Sequence, residues 1–364
     1  MKISPNTQPR GIALVIVMIV ILVLAIIAGG FAYSMKVETK LARNTSFEAD
    51  LEWLGRSGVE FARYILVQHL NVTTEPWDSL NQKWAGGPMG TNEVLETISL
   101  ENNELGAGTF SVKITDLERK FNINMVNERT LPLLLQALAL LGVSPGDSSV
   151  ISDSFLDWID PDDDPHLSGT ESREYMSNPN PGFTPYVAKN GPIDDLAELL
   201  MIRGVTPEIF WGSSGPSLNQ PALVASASPF AGLGASAPSG LADVFTSLSV
   251  GTLNINTAPA QVLQLVPGLD PLLAQAIVTA RAGWDGVEGN EDDLPFRSPG
   301  ELINVPGLPP QMVQQLAGNF TTRSFTFQVL VDARINQYTR RFVAVLRRNP
   351  GNPRDVQTLF FHWK

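Results

Sequence analysis

The sequence contains no cysteine. That absence excludes a disulfide, a thiolate nucleophile, a thiolate metal site and a lipidated cysteine. Only three histidines occur, which leaves little material for a zinc site. Cations are scarce as well: 25 Lys and Arg stand against 37 Asp and Glu, for a formal charge of -12 over 364 residues. So acidic a chain is a poor match for a nucleic-acid backbone, because phosphate contacts need clustered Lys and Arg. An exported chain without disulfides can use a metal ion as a staple instead. The sharpest scarcity is local. No charged residue stands between Arg10 and Lys36, and residues 12–28 are apolar without a break.

Rising about 1.5 Å per residue as an α-helix, this stretch is long enough to cross a hydrocarbon core of roughly 30 Å. A buried soluble helix is seldom apolar on every face for that long. A cleavable secretory signal has a shorter apolar region ending in a small-residue cut site. Here the abrupt small residue, Gly11, precedes the run, and a helical pattern continues past Tyr33. The order of a short leader with Lys2 and Arg10, then Gly11, then an apolar helix resembles a class III signal. In that class a prepilin peptidase cuts on the cytoplasmic side, directly after the glycine, and methylates the new amino terminus, which here is Ile12. Charge alone does not orient the span, since Lys36, Lys40 and Arg43 follow it.

Beyond the span, Leu51, Leu54, Gly58, Phe61 and Ile65 fall at steps of three and four. That spacing gives one apolar stripe, with Glu48, Asp50, Glu52, Arg56, Glu60 and Arg63 on the other face. One long helix that starts in the membrane and ends amphipathic is expected. Residues 71–108 are punctuated by Pro, Gly and Asn, with a strand expected at EVLETISL, residues 93–100. Alternation from Phe110 to Ile114 predicts another strand. Its mates come only at the far end, in SFTFQVLVDARI, TRRFVAVLRR and VQTLFFHWK. The fold class is therefore α+β: a membrane and stalk helix on an antiparallel, pilin-like sheet, interrupted by a large helical insertion.

The insertion carries an internal repeat. FNINMVNERTLPLLLQAL at Phe121 echoes LNINTAPAQVLQLVPGL at Leu253, and PIDDLAELLMIRGVTPEIF at Pro192 echoes SPGELINVPGLPPQMVQQL at Ser298. Two copies of one helical unit, SAM-like or helix-hairpin-helix-like, account for this. A Gly/Ser/Ala/Pro-rich linker lies between them. The expected division is leader 1–11, membrane helix 12–34, stalk helix and first strands 35–120, first unit 121–211, linker 212–240, second unit 241–318 and returning strands 319–364.

Helix-hairpin-helix units that bind DNA turn backbone N–H groups of a Gly-rich hairpin toward a phosphate. In this chain Asp270 and Pro309 replace the second hairpin glycine. Asp puts negative charge where phosphate would sit, and Pro removes a donor. Nucleic acid is therefore not an expected partner.

The densest carboxylate cluster is DWIDPDDDPHLSGTESREY. Counting from Asp160 as position 1, Asp162 and Asp164 take positions 3 and 5 of a twelve-residue calcium loop. His166 at position 7 offers a backbone carbonyl, Ser168 takes position 9, and Glu171 closes the loop at 12. Pro165 stands where such loops have Gly. A solvated acidic turn after a helix ending near Ile159 is the other reading, and it stays open. A hydrolytic carboxylate pair is not expected, because the run is one local loop and not two facing elements.

The leader, the two Asn-Ile-Asn units and the acidic turn, with Glu174 and Tyr175, together resemble the K-type minor pseudopilins of type II secretion. Most pilin-like proteins have Glu at the fifth mature residue. That position is Ile16 here, and its lack of acid is characteristic of the K type. The resemblance implies a protein of assembly and not an enzyme. It further implies a single pass through the inner membrane with the bulk periplasmic, and a calcium ion in the helical domain without fixing its ligands; the candidates are Asp160, Asp162, Asp164, Glu171 and Glu174. The implied partners are the minor pseudopilins I and J, other pseudopilins, the prepilin peptidase, the inner-membrane assembly platform and membrane lipid. The implied role is to cap the pseudopilus and help export folded proteins. A minor tip pilin of a type IV pilus, or an anchored helix-hairpin-helix DNA-uptake protein, are the alternatives.

Overall fold

The computed structural model describes residues 12–177, 184–212 and 240–363, without the side chains of residues 12 and 43–46. The leader with Gly11, and the interior of the Gly/Ser/Ala/Pro-rich linker, lie outside the described residues.

Helix α1 (Ile12–His69) is continuous over 58 residues. The side chains described between residues 13 and 42 are exposed. This is the one described helix long and apolar enough to cross a membrane. From Leu51 onward one face is buried through Leu54, Val59, Ala62, Ile65 and Leu66, as the three-four spacing predicts. Two glycines let it lie close to the sheet. A Cβ on Gly55 would collide with the Phe342 ring, and one on Gly58 with Val331.

The strands are β1 (Asn103–Leu105), β2 (Gly108–Asp116), β3 (Phe121–Asn122), β4 (Phe245–Thr246), β5 (Leu253–Asn254), β6 (Phe320–Thr321), β7 (Thr326–Ile335), β8 (Tyr338–Asn349) and β9 (Asn352–Trp363). The main sheet has the order β1-β2-β7-β8-β9, with antiparallel pairing throughout. Its inner face, with Phe110, Val112, Ile114, Val329, Val331, Phe342 and Ala344, packs on α1. The strand expected at 93–100 does not form. Asn92 accepts hydrogen bonds from the Val94 and Leu95 N–H groups and starts a one-turn helix, α2 (Glu93–Glu96), so the edge strand begins only at Asn103.

The insertion opens at the end of β2 and closes at the start of β7, where Asp116 pairs with Phe327. Chain direction locates this root. Gly108 lies against Leu54, whereas Arg348, beside the root, reaches the Leu66 carbonyl. Strand β2 therefore runs away from the apolar span, and the insertion sits on the far end of the molecule.

Two hydrophobic cores fill the insertion. The first unit contains α3 (Leu131–Leu140), α4 (Pro145–Ile159), α5 (Ser172–Met176), a 3-10 turn (Leu196–Met201), α6 (Pro207–Trp211) and α7 (Leu241–Val244). The parallel pair β3–β4 closes it. The second contains α8 (Ala260–Leu263), α9 (Pro271–Arg281), a 3-10 turn (Pro299–Asn304) and α10 (Pro310–Leu316), closed by the parallel pair β5–β6. Leu241, Val244 and Phe245 belong to the first core, so the boundary expected at 241 falls after Thr246. Gly212 and Gly240, which bound the linker, lie side by side, and a Cβ on Gly240 would fall 2.6 Å from the Gly212 nitrogen. The chain thus leaves and re-enters the first unit at one point.

The repeat extends to single hydrogen bonds. Asn124 accepts from the Ile193 N–H at 2.7 Å and donates to the Ile193 carbonyl at 2.9 Å. Asn256 does the same to Phe296, at 2.8 and 2.9 Å. The second Asn of each Asn-Ile-Asn clamps the segment that begins the second half of its unit. Each unit then holds two hairpins, not one. All four run Gly, an aliphatic residue, a cap, then Pro at the helix start: Gly142 to Pro145, Gly204 to Pro207, Gly268 to Pro271 and Gly307 to Pro310. The four glycines have φ of 76°, 89°, 94° and 89°, a region that only Gly enters freely.

Candidate functional site

Helix α4 ends at Ile159 because Asp160 leaves helical geometry, and the acidic turn follows. The chain then folds back so that Asp157, Asp160 and His166 converge beneath it, with Glu171 close enough to feel the Asp157 and Asp160 charges. One oxygen each of Asp157 and Asp160 and a ring nitrogen of His166 lie within 4.8 Å of one another. Asp157 is fully buried. It accepts hydrogen bonds from the His166 backbone N–H and from its ring Nδ1. Gly169 packs directly on the Asp157 carboxylate, where a Cβ would find no room.

The expected ligand set is only partly brought together. Asp160 and Glu171 turn into the cluster. Asp162 and Asp164 are exposed, and Asp162 accepts from the Asp164 N–H at 3.1 Å. Glu174 accepts from the Glu171 N–H at 3.3 Å and so caps α5. The His166 carbonyl accepts from the Gly169 N–H at 3.0 Å, and Ser168 donates its N–H to Asp153. The spacing of a twelve-residue loop therefore does not describe this turn. Pro165 in place of the loop glycine, and a fold-back onto α4, send alternate residues outward. Asp157 was missed because it precedes the run and sits on the helix. A signal for it was its position next to Trp158 on the buried face.

Three buried carboxylate oxygens, Asp157 Oδ2, Asp160 Oδ1 and Glu171 Oε1, have no hydrogen-bond donor among the described residues. Burial raises the Asp160 pKa, and the charges of Asp162 and Asp157 add to it. Burial also pushes Glu171 up to about 7, with Asp157 and Asp160 contributing. The His166 pKa rises chiefly through its hydrogen bond to Asp157. Unsatisfied acidic oxygens in one buried neighbourhood suit a hard cation that takes several oxygen ligands. The donor set fits calcium better than zinc, since it is mostly carboxylate and contains no thiolate.

Comparison with known proteins bears on the whole chain. Residues 119–211 match the family model for type II secretion system protein K, and residues 249–321 match the helix-hairpin-helix motif. The chain is 24% identical to type II secretion system protein K of Klebsiella pneumoniae over 56% of its length. It is 25% identical to the protein of that name from Pseudomonas aeruginosa over 78% of its length, covering 75% of that relative. Residues 119–211 thus resemble the type II secretion protein K family. The match spans 61% of the length of the Klebsiella protein K. A similar fold is seen in a chain of the GspK-GspI-GspJ complex from enterotoxigenic Escherichia coli. There the TM-score is 0.62 at 16% identity, covering 89% of this chain and 99% of that one. The acidic cluster lies inside the segment matched to protein K.

The second unit matches the helix-hairpin-helix motif, and its hairpins lack the free donors that a phosphate would need. Asp270 Oδ1 accepts from the Leu273 N–H at 2.8 Å. The carboxylate thus takes a donor that a phosphate would use. Pro309 caps α10 without any side-chain hydrogen bond and brings no N–H.

Proposed function

We propose that this chain is the minor pseudopilin that caps the tip of a type II secretion pseudopilus, with the head outside the inner membrane. The single observation that carries the reading is the site of the insertion. Roughly two hundred residues stand on the end of the sheet farthest from the apolar helix. A subunit stacked above would meet this mass, whereas the last subunit has nothing above it. Ile16 supports the same place. A charged Glu in a bilayer costs a few kcal/mol or more unless it is paired. A subunit that enters first has no neighbour above to pair with, so an apolar residue there loses no contact.

The known complex of GspK with GspI and GspJ supports pseudopilins I and J as this chain's own partners. The assembly platform and the prepilin peptidase would handle it before and during assembly. The peptidase would cut between Gly11 and Ile12. Calcium would be held by Asp157, Asp160 and Glu171, with His166 orienting Asp157, and would brace the turn structurally. Catalysis is no part of this reading.

Four experiments test it. Purification of the tagged chain from membranes should bring down pseudopilins I and J. Gold label on the head of overexpressed fibres should sit at one end, and label spaced along the shaft would refute the cap. Deleting residues 121–318 should disturb tip assembly, while Ile16→Glu should leave secretion largely intact.

A further inference from the structure

The root of the insertion holds a second carboxyl cluster, unrelated to the acidic turn. Asp116 ends β2 and Glu118 follows two residues later, and both are buried. Asp116 accepts from the Glu118 N–H at 2.8 Å and from Ser324 Oγ at 2.6 Å, with Asn254 Nδ2 and Thr257 Oγ1 also donating to it. Glu118 accepts from the Thr326 N–H at 2.9 Å, the Phe325 N–H at 3.1 Å and the Val250 N–H at 3.3 Å. These two side chains therefore tie three segments together: the exit from β2, the entry to the second unit and the return into β7.

Among the described residues no cation pairs with them. Arg348 makes a two-oxygen ion pair with Asp78, at 2.9 and 2.8 Å, in the same buried layer. His69 faces that pair and not the two carboxyls, and burial holds its pKa down. Arg281 binds Glu288 and the carbonyls of Ile255 and Ala258. Lys120 donates to the Ala242 carbonyl. Arg119 lies near Lys120 and Arg281 and forms no ion pair with either carboxyl among the described residues. The carboxylate of Asp78 adds a further charge of the wrong sign.

Two adjacent carboxylates buried with only neutral donors cannot both stay ionised. We propose that Asp116 and Glu118 share a single proton and act as a pH-dependent latch between the pilin-like sheet and the second helical unit. Asp116, which accepts four hydrogen bonds, is the ionised member, and Glu118 carries the proton toward it. Burial and the Asp116 charge push Glu118 up to about 8, which puts release of the proton just above neutral pH. Once both are charged they repel. Water can then solvate them only if Phe325, Thr326 and Val250 give up their hydrogen bonds. The sheet and α1 do not depend on these bonds, so the insertion loosens at its root while the stalk stays folded.

The test uses the full chain in detergent. Infrared spectra at pH 7 should contain a protonated-carboxyl band that disappears by pH 9 and is missing in Glu118→Gln. Amide hydrogen exchange should follow. After correction for base catalysis, protection at Phe325 and Thr326 should fall by up to about tenfold per pH unit as pH rises toward 8 in the native chain, one proton being released on opening, and level off above 8. In Glu118→Gln that pH dependence should vanish while protection of β8 persists. Identical pH profiles for native chain and variant would overturn the latch. If Glu118→Gln does not fold, exchange in the native chain decides: protection at Phe325 and Thr326 that is flat from pH 6 to 8 would overturn it equally.

Discussion

Asn124 and Asn256 explain why Asn-Ile-Asn occurs twice. Each side-chain amide answers both the N–H and the C=O of one buried backbone residue, a match that few other side chains can make. Asn124→Ala or Asn256→Ala should cost about 1–3 kcal/mol, because buried backbone groups lose their partners. Chemical denaturation of the detergent-solubilised chain would read this. Arg348 stands in a harsher position, since its loss leaves the buried Asp78 carboxylate unpaired. Arg348→Ala should cost about 3–5 kcal/mol at neutral pH. The net effect of Arg348, His69 and the Ser324 N–H holds Asp78 below its usual range despite its burial. Stability from a depressed carboxylate is present above its unfolded pKa and lost as pH falls through the folded one. The gap between native chain and Arg348→Ala should therefore narrow on acidification. Little of this was legible in the sequence. The Asn-Ile-Asn repeat was, because it recurs. Asp78, Asp116, Glu118 and Arg348 were not, since each becomes a site only when segments about two hundred residues apart meet.

At the scale of elements, the legible parts were those with a long period. The stripe on α1 and the alternation of β2, β7 and β8 stood out, because burial on one face repeats along many residues. EVLETISL was misread because apolar alternation over so short a run yields to one capping side chain, Asn92. The hairpins were half seen. Their Gly-aliphatic-cap-Pro pattern is repeated four times, but only the second-unit copies resemble a known hairpin closely. Gly268 tests what that pattern requires. No atom lies within 4 Å of a Cβ built there, so Gly268→Ala is penalised by its positive φ alone, at about 1–2 kcal/mol. Gly58 tests the opposite cause. Gly58→Val would push α1 off Val331 and should cost about 1–3 kcal/mol through overpacking. Thermal denaturation of each variant would separate the two effects.

For the whole molecule, the calcium reading has a direct consequence. The ion should raise the melting temperature relative to chelator, because it binds the folded state only. Asp157→Asn should remove that shift, and Asp162→Asn should not. Glu171, pushed up to about 7, must lose its proton to bind a cation, so apparent affinity should fall about tenfold per pH unit below 7. Isothermal titration across pH 5 to 8 would check it. The chain should also fail to retard duplex DNA at moderate salt, given its acidity and the occupied donor at Asp270. A gel shift that weakens steeply with added salt would count against this. Mass spectrometry of the mature protein should find N-methylated Ile12 at its start.

The pairing of β2 with β7 also dictates an order of events in biogenesis. Strand β2 leaves the ribosome long before its partner, with the entire insertion made in between. Closing so long a flexible loop is entropically unfavourable, although each doubling of length adds only about 0.6 kcal/mol. An insertion that has already folded changes the problem. Its own parallel strand pairs bring Phe121 close to Phe245 and Leu253 close to Phe320, so the ends to be joined arrive nearly in register. The helical units should therefore gain protection first and the sheet last, with β2 an unpaired edge in the interval. Until β7 emerges, that edge is the part of the chain most open to wrong pairing.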